Sequence, residues 1–271
     1  MAGNINMVEI KPKVCVLTGY GINCDYETKH AFTLAGADAK RVHINDLIDG
    51  KEKLSDYQII AFPGGFSFGD DIASGKVLAT KFKTNLWDDL IKFVEDKKLV
   101  IGICNGFQII VKMGLLPDPN SGQTVTLSHN DSGKFEDRWV YLSANKKSPC
   151  IFTKGIENIY LPIRHGEGKF IVKDNETLKN LEKNNLIVLK YSDDNGKPAN
   201  KYPLNPNGSI DNIAAICDKT GRIFGLMPHP EAFCHPTNHP RWTREKKLPI
   251  DGEGLKIFKN AVNYAKSISK R

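Results

Sequence analysis

No apolar run in this chain approaches the roughly 18 residues needed to cross a bilayer. The opening MAGNINMVEIKPK carries no hydrophobic stretch of the kind that directs secretion. Both absences predict a cytoplasmic chain with no membrane partner. There is no CxxC pair: the six cysteines (15, 24, 104, 150, 217 and 234) are scattered. In a cytosolic chain of this size they read as reduced thiols, not as a disulfide framework. No stretch interleaves aromatic with basic residues. The net charge of +7, from 38 basic and 31 acidic residues, is dispersed apart from short runs such as KFK and REKK. That favours an anionic partner or substrate and argues against a nucleic-acid groove. No internal repeat or low-complexity segment occurs. The phosphate loop G-x-x-x-x-G-K-[ST] is absent, so no ATP module of that kind is expected here, and GYGIN lacks the third glycine of a dinucleotide fingerprint.

What is present is an alternation of strand and helix patterns. With 40% hydrophobic and 25% charged residues in 271, the chain suits one enlarged globular domain spanning 1–271. VCVLTGYG, DAKRVHI, YQIIAFPGG and KLVIGIC read as strands, YQIIAFPGG as a buried one. DYETKHAFTLAG, with Asp25 placed to cap it, TNLWDDLIKFVEDK and NGFQIIVKMG read as helices. This alternation predicts an α/β fold, a mostly parallel sheet flanked by helices, with ligands bound beyond the carboxyl ends of the strands. Glycines 19, 21, 64, 65, 102 and 106 should then share one edge. The second half reads as an antiparallel β extension made from QTVTLSHN, RWVYLSA, NIYLPIRHGEG and LIVLKYSD. A long loop near 193–212 follows, then a hairpin around Thr220-Gly221, an extended segment 232–251 and a closing amphipathic helix.

Within that frame Cys104 stands out. It sits in G-I-C-N-G where a strand turns into a helix, and the small flanking residues let a strained bend present its side chain, as in a nucleophile elbow. The helix starting at Asn105 directs its positive end at the sulfur, which favours the thiolate. The N–H of Asn105 points where an oxyanion would form. A thiolate nucleophile needs a proton carrier, and MPHPE supplies His229, with Glu231 close enough to orient it. A second oxyanion donor is available in the Gly64-Gly65 turn, where glycine leaves room for substrate.

Together IGICNGFQII, FPGGFSFGDD, HGEG, NPNGS and GLMPHPE resemble the class I glutamine amidotransferases. More narrowly they resemble the glutaminase subunits of phosphoribosylformylglycinamidine synthases, a purine-biosynthesis family, and GINCDYET is similar to the segment after that family's first strand. The resemblance implies a flavodoxin-like core and hydrolysis of glutamine through a γ-glutamyl thioester. It implies Cys104 as nucleophile, His229 as base then acid, Glu231 as orienter, and Gly65 and Asn105 as oxyanion donors. Gly64, Gln108, His165, Gly166 and Glu167 would line the glutamine site, the last three through their backbone. The implied partners are a synthetase subunit, carrying ATP and Mg and converting formylglycinamide ribonucleotide to formylglycinamidine ribonucleotide, and a small accessory subunit. No cofactor and no metal is implied on this chain.

Other readings stay open. A stand-alone cysteine hydrolase acting on γ-glutamyl or small carbonyl compounds would use the same elbow. A degenerate regulatory domain would be expected to lose the thiol, the imidazole or the acid, and all three are present. Cys234, His235 and His239 do not follow a zinc spacing and read as a loop packing on a partner or substrate. Asp70 and Asp71 read as helix-capping carboxylates, and Cys24 as structural.

Overall fold

Runs rich in valine and isoleucine form the centre of the sheet in the computed structural model, which describes residues 11–269. The opening ten residues, within the stretch in which no leader is read, lie outside them. The first half runs β1 (Lys13–Thr18), α1 (Asp25–Leu34), β2 (Asp38–His43), α2 (Ile44–Ile48), β3 (Ile59–Phe62), α3 (Lys76–Glu95), β4 (Leu99–Ile103) and α4 (Asn105–Lys112). The second half continues with β5 (Val125–Ser128), β6 (Glu136–Ala144), β7 (Asn158–His165), β8 (Lys169–Val172), α5 (Asn175–Lys183), β9 (Ile187–Ser192), β10 (Ile213–Cys217), β11 (Ile223–Leu226) and α6 (Leu255–Ile268).

Nine strands share one sheet in the order β2-β1-β3-β4-β11-β10-β9-β6-β7. The first five are parallel, which is the flavodoxin-like order. The remaining pairings are antiparallel, the β extension expected from the sequence. β5 and β8 pair separately. Right-handed crossovers put α1 on one face and α2, α3 and α4 on the other. α6 joins α1, where Phe32 and Phe258 meet edge to face at 4.9 Å. Among the described residues no helix is long and apolar enough to cross a membrane.

Several local expectations need correcting. α3 begins at Lys76, well before Thr84, because Leu78, Ala79 and Phe82 extend the same buried stripe as Leu86, Leu90 and Phe93. α5 was not expected: it buries only Leu181, so it has no apolar stripe to read, and it is started by Asp174 accepting from the Thr177 N–H at 2.8 Å. Asp25 is the first residue of α1 and not its cap. Its carboxylate takes Arg41 at 2.7 Å instead, and Cys24 occupies the cap position with no side-chain cap bond. The segment after Glu231 packs in part on the chain's own hairpin: Phe233 lies edge-on to Trp139 at 5.2 Å, and His239 contacts Trp139 and Tyr160.

The parallel core depends on a close approach of α4 to the sheet. A β-carbon on Gly106 would lie well inside contact distance of the Phe62 carbonyl, and one on Gly102 would lie 2.6 Å from the Gly106 carbonyl oxygen. Neither neighbour is a flexible side chain, so the helix itself must move. Gly106→Ala is therefore expected to destabilise the fold by about 3 kcal/mol, measured by urea unfolding. An unchanged midpoint would show that α4 has room to shift.

Candidate active site

Loops from the carboxyl ends of the parallel strands, together with the turn after β7, meet around Cys104. The residue joins β4 to α4 at φ 50, ψ −107, a conformation that residues with a β-carbon rarely adopt. Its N–H donates to Leu226 at 2.8 Å and its carbonyl accepts from Gln108 at 3.1 Å, so β11 and the first turn of α4 hold the bend from both sides. Cys104 is 6% exposed, and its sulfur lies 3.6 Å from the Arg164 carbonyl.

His229 follows β11, its N–H fixed on the Pro162 carbonyl at 2.8 Å. Nδ1 lies 2.6 Å from Glu231 Oε1, and both side chains are almost wholly buried. Burial disfavours the imidazolium, but the Glu231 carboxylate together with Cys104 outweighs it and holds the ring well above the usual imidazole range. The Cys104 and Cys24 thiols both engage the ring, yet Nε2 makes no well-formed hydrogen bond in this resting arrangement. The Gly64-Gly65 turn borders the same space. A β-carbon on Gly64 would sit 2.8 Å from His229 Cε1, so only glycine lets the ring lie there.

Asn105, the first residue of α4, has its N–H among those a helix start leaves without an intrahelical acceptor. Its side chain is fixed on three sides. Oδ1 accepts from the Ser67 N–H at 3.2 Å, while Nδ2 donates to Asp70 at 3.2 Å and to Gln108 at 2.9 Å. Gln108 in turn donates to the Glu167 carbonyl at 2.6 Å. Asp70 is thus more than a cap: besides Ser74 and the Gly75 N–H at the start of α3, it ties the turn after β3 to the helix behind the thiol.

The HGEG turn is held by Asn130, which sequence reasoning did not single out. Asn130 donates to the His165 carbonyl at 2.8 Å and to Gly166 at 2.9 Å through its backbone, and accepts from the Gly168 N–H at 3.0 Å. The backbone carbonyls of His165, Gly166 and Glu167 are therefore all engaged within the protein. From the long loop, Asn207 adds a bond to the Gly168 carbonyl at 2.9 Å.

Among the described residues the one group of three ligand-type side chains is Cys24, His229 and Glu231, whose donor atoms lie within 4.8 Å of one another. Its tightest pair is the imidazole and carboxylate, the arrangement of a base and its orienter. Cys234, His235 and His239 do not converge: His235 caps a short turn, and the Cys234 sulfur faces the Pro230 and Glu231 carbonyls. Cys24, read as structural, lies beside the Gly64 turn and the His229 ring. A cavity of about 900 Å³ lies elsewhere, between the 145–157 loop and α6.

His165 gives a pH prediction. Burial, with His229 nearby, pushes its imidazole from 6.5 down to about 3. Below pH 6.5 the unfolded chain takes up a proton that the folded chain refuses. This costs up to about 1.4 kcal/mol of stability per pH unit until the folded value is reached. His229 has the opposite sign: its contribution is full below 6.5 and is lost as pH rises through its raised folded value. His165→Asn should therefore flatten the loss of unfolding free energy between about pH 6 and 4, followed by denaturant titration. An unchanged slope would contradict this.

The chain matches the CobB/CobQ-like glutamine amidotransferase domain over residues 11–265. Phosphoribosylformylglycinamidine synthase subunit PurQ of Methanococcus maripaludis is 50% identical over 271 residues, covering 95% of this chain and 99% of the relative. The PurQ subunit of Dehalococcoides mccartyi is 48% identical, with 95% and 99% covered. A chain in the structure of PurLQS from Thermotoga maritima superposes with a TM-score of 0.69 at 34% identity, covering 94% of this chain and 99% of that one. The glutaminase domain of Trypanosoma brucei CTPS, 13% identical with a TM-score of 0.53, shares the fold. Matched almost end to end, the chain belongs to the CobB/CobQ-like glutamine amidotransferases and, within them, to the PurQ subunits of phosphoribosylformylglycinamidine synthase.

Proposed function

We propose that this chain is the glutaminase subunit of a phosphoribosylformylglycinamidine synthase. It releases ammonia from L-glutamine for a synthetase chain that converts formylglycinamide ribonucleotide to formylglycinamidine ribonucleotide in purine biosynthesis. The family membership supports the reaction. The assignment of roles rests on one observation: a thiol on a positive-φ bend sharing a buried space with an imidazole whose far nitrogen is held by a carboxylate.

Cys104 gives its proton to His229, and the sulfur attacks the side-chain amide carbon of glutamine. The oxyanion then forms facing the N–H groups of Gly65 and Asn105. The imidazolium, steadied by Glu231, returns the proton to the departing nitrogen, so ammonia leaves and a γ-glutamyl thioester remains. Water, deprotonated by His229, attacks the thioester; glutamate departs and the thiol regains its proton. Gly64 leaves room for the ring. Gln108, His165, Gly166 and Glu167 shape the glutamine side of the space.

The acceptor chemistry belongs to partner chains: a synthetase carrying ATP and Mg, and a small accessory subunit, working in the cytoplasm. The naming of a PurLQS assembly in the Thermotoga maritima relative supports this grouping. Cys104 and His229 are 6% and 2% exposed, so the isolated chain offers glutamine little access. Glutamate release should be slow for the chain alone and rise on mixing with the synthetase, formylglycinamide ribonucleotide and ATP. Steady turnover indifferent to the partner would favour a stand-alone hydrolase instead.

In the complex, Cys104→Ala should abolish glutamine-driven synthesis, a loss of about 10³-fold or more, while ammonia-driven synthesis persists. Glu231→Gln should lower glutamine-dependent kcat by about 10²-fold or more. It should also move the alkaline limb of the pH profile down, because the carboxylate is what raises His229. Retained glutamate release by Cys104→Ala would refute the assignment.

A further inference from the structure

Cys24 belongs to the GINCDYET segment, and the mechanism above gives it nothing to do. Its place in the fold ties together the two halves of that machinery. The backbone N–H of Cys24 donates to the Gly64 carbonyl at 3.1 Å. That carbonyl and the Gly65 N–H belong to one peptide unit, and in a trans peptide they point in opposite directions. Anchoring the carbonyl on Cys24 therefore turns the Gly65 N–H the other way, away from α1.

The side chain does a second job. Cys24 occupies the cap position of α1, but its sulfur does not cap the helix. It lies in the corner between Gly64 and the imidazole, where a β-carbon on Gly64 would meet Cys24 Sγ at 3.3 Å and His229 Cε1 at 2.8 Å. Sγ, a ring nitrogen of His229 and a Glu231 oxygen fall within 4.8 Å of one another. The sulfur also has the Asn23 side-chain oxygen at 3.5 Å.

We propose that Cys24 is a positioning residue for the glutaminase reaction, its backbone aiming the Gly65 N–H and its thiol holding the His229 ring toward Cys104. This rests on the reading of Cys104 and His229 given above. Glu231 alone fixes one nitrogen and leaves the ring free to tilt about that bond. A contact on the Cε1 side, from a different loop, removes the remaining freedom. Burial raises the Cys24 thiol above its usual range, with His229 partly opposing that, which keeps it from competing with Cys104 as nucleophile. The titratable groups engaging the ring are Glu231, Cys104, Cys24 and His165, and the first three all favour its protonated form.

The test uses the complex with the synthetase, comparing wild type, Cys24→Ala, Cys24→Val, Cys24→Ser and Cys104→Ala. Glutamine-driven kcat, KM for glutamine and the pH profile are measured on variants that co-elute with the partner. Cys24→Ala and Cys24→Val should lower kcat about tenfold or more, leave KM within about twofold, and move the alkaline limb to lower pH. Cys24→Ser, which keeps a small polar group, should recover most of the rate. Valine preserves bulk, so it decides the matter if alanine fails to fold. Wild-type kcat and pH profile in either apolar variant, alongside an inactive Cys104→Ala, would overturn the proposal. An active Cys104→Ala would instead overturn the reading beneath it.

Discussion

Holding a residue that bears a β-carbon at φ 50 costs on the order of 1–3 kcal/mol, and the fold around Cys104 is built so that this cost is borne locally. β11 takes its N–H, the first turn of α4 takes its carbonyl, and the next side chain, Asn105, is tied to Ser67, Asp70 and Gln108. None of these could be in place if α4 stood further from the sheet. Gly102 and Gly106 let it lie against β3 and β4. The sulfur's position is thus a consequence of how the parallel core is packed, not of a side-chain rotamer chosen from several.

Charge is arranged around the bend with the same economy. Two histidines occupy neighbouring buried positions and are driven in opposite directions. His229 has a carboxylate 2.6 Å away and holds a proton readily. His165 meets the amide oxygen of Asn130 and no carboxylate, and stays neutral to about pH 3. A buried imidazolium without a partner would be costly, so one proton carrier and one neutral wall is the arrangement with fewer penalties. The same asymmetry leaves Nε2 of His229 without a well-formed hydrogen bond, as the proposed role requires.

Much of this was legible in the sequence, and the exceptions have physical reasons. The parallel strands β1, β3, β4 and β11 were readable because both faces are covered, which makes them near-continuous apolar runs, whereas β2 at the edge is half exposed. The bend was readable because only small residues fit at 102 and 106, and the buried imidazole–carboxylate pair because two prolines and an acid surround His229. Short elements such as α2 and β8 are below the length at which periodicity can be seen. Asn130 gave no signal, since its role arises from a turn 35 residues away that it meets only in three dimensions. Asp70 could be seen as a carboxylate near a helix start, but not as a tie to Asn105. Cys24 stood in plain view within a recognisable segment; without the fold, nothing showed that its loop reaches back over the Gly64 turn to the imidazole.

The central claim is that Cys104, and no other thiol, carries the γ-glutamyl group. Rapid acid quenching of the assembled complex turning over isotopically labelled glutamine, followed by peptide mapping, tests it directly. The account predicts label as a thioester on the peptide containing Cys104, and on no other cysteine-bearing peptide. Label on Cys24, or turnover with no covalent adduct trapped at any time point, would contradict it.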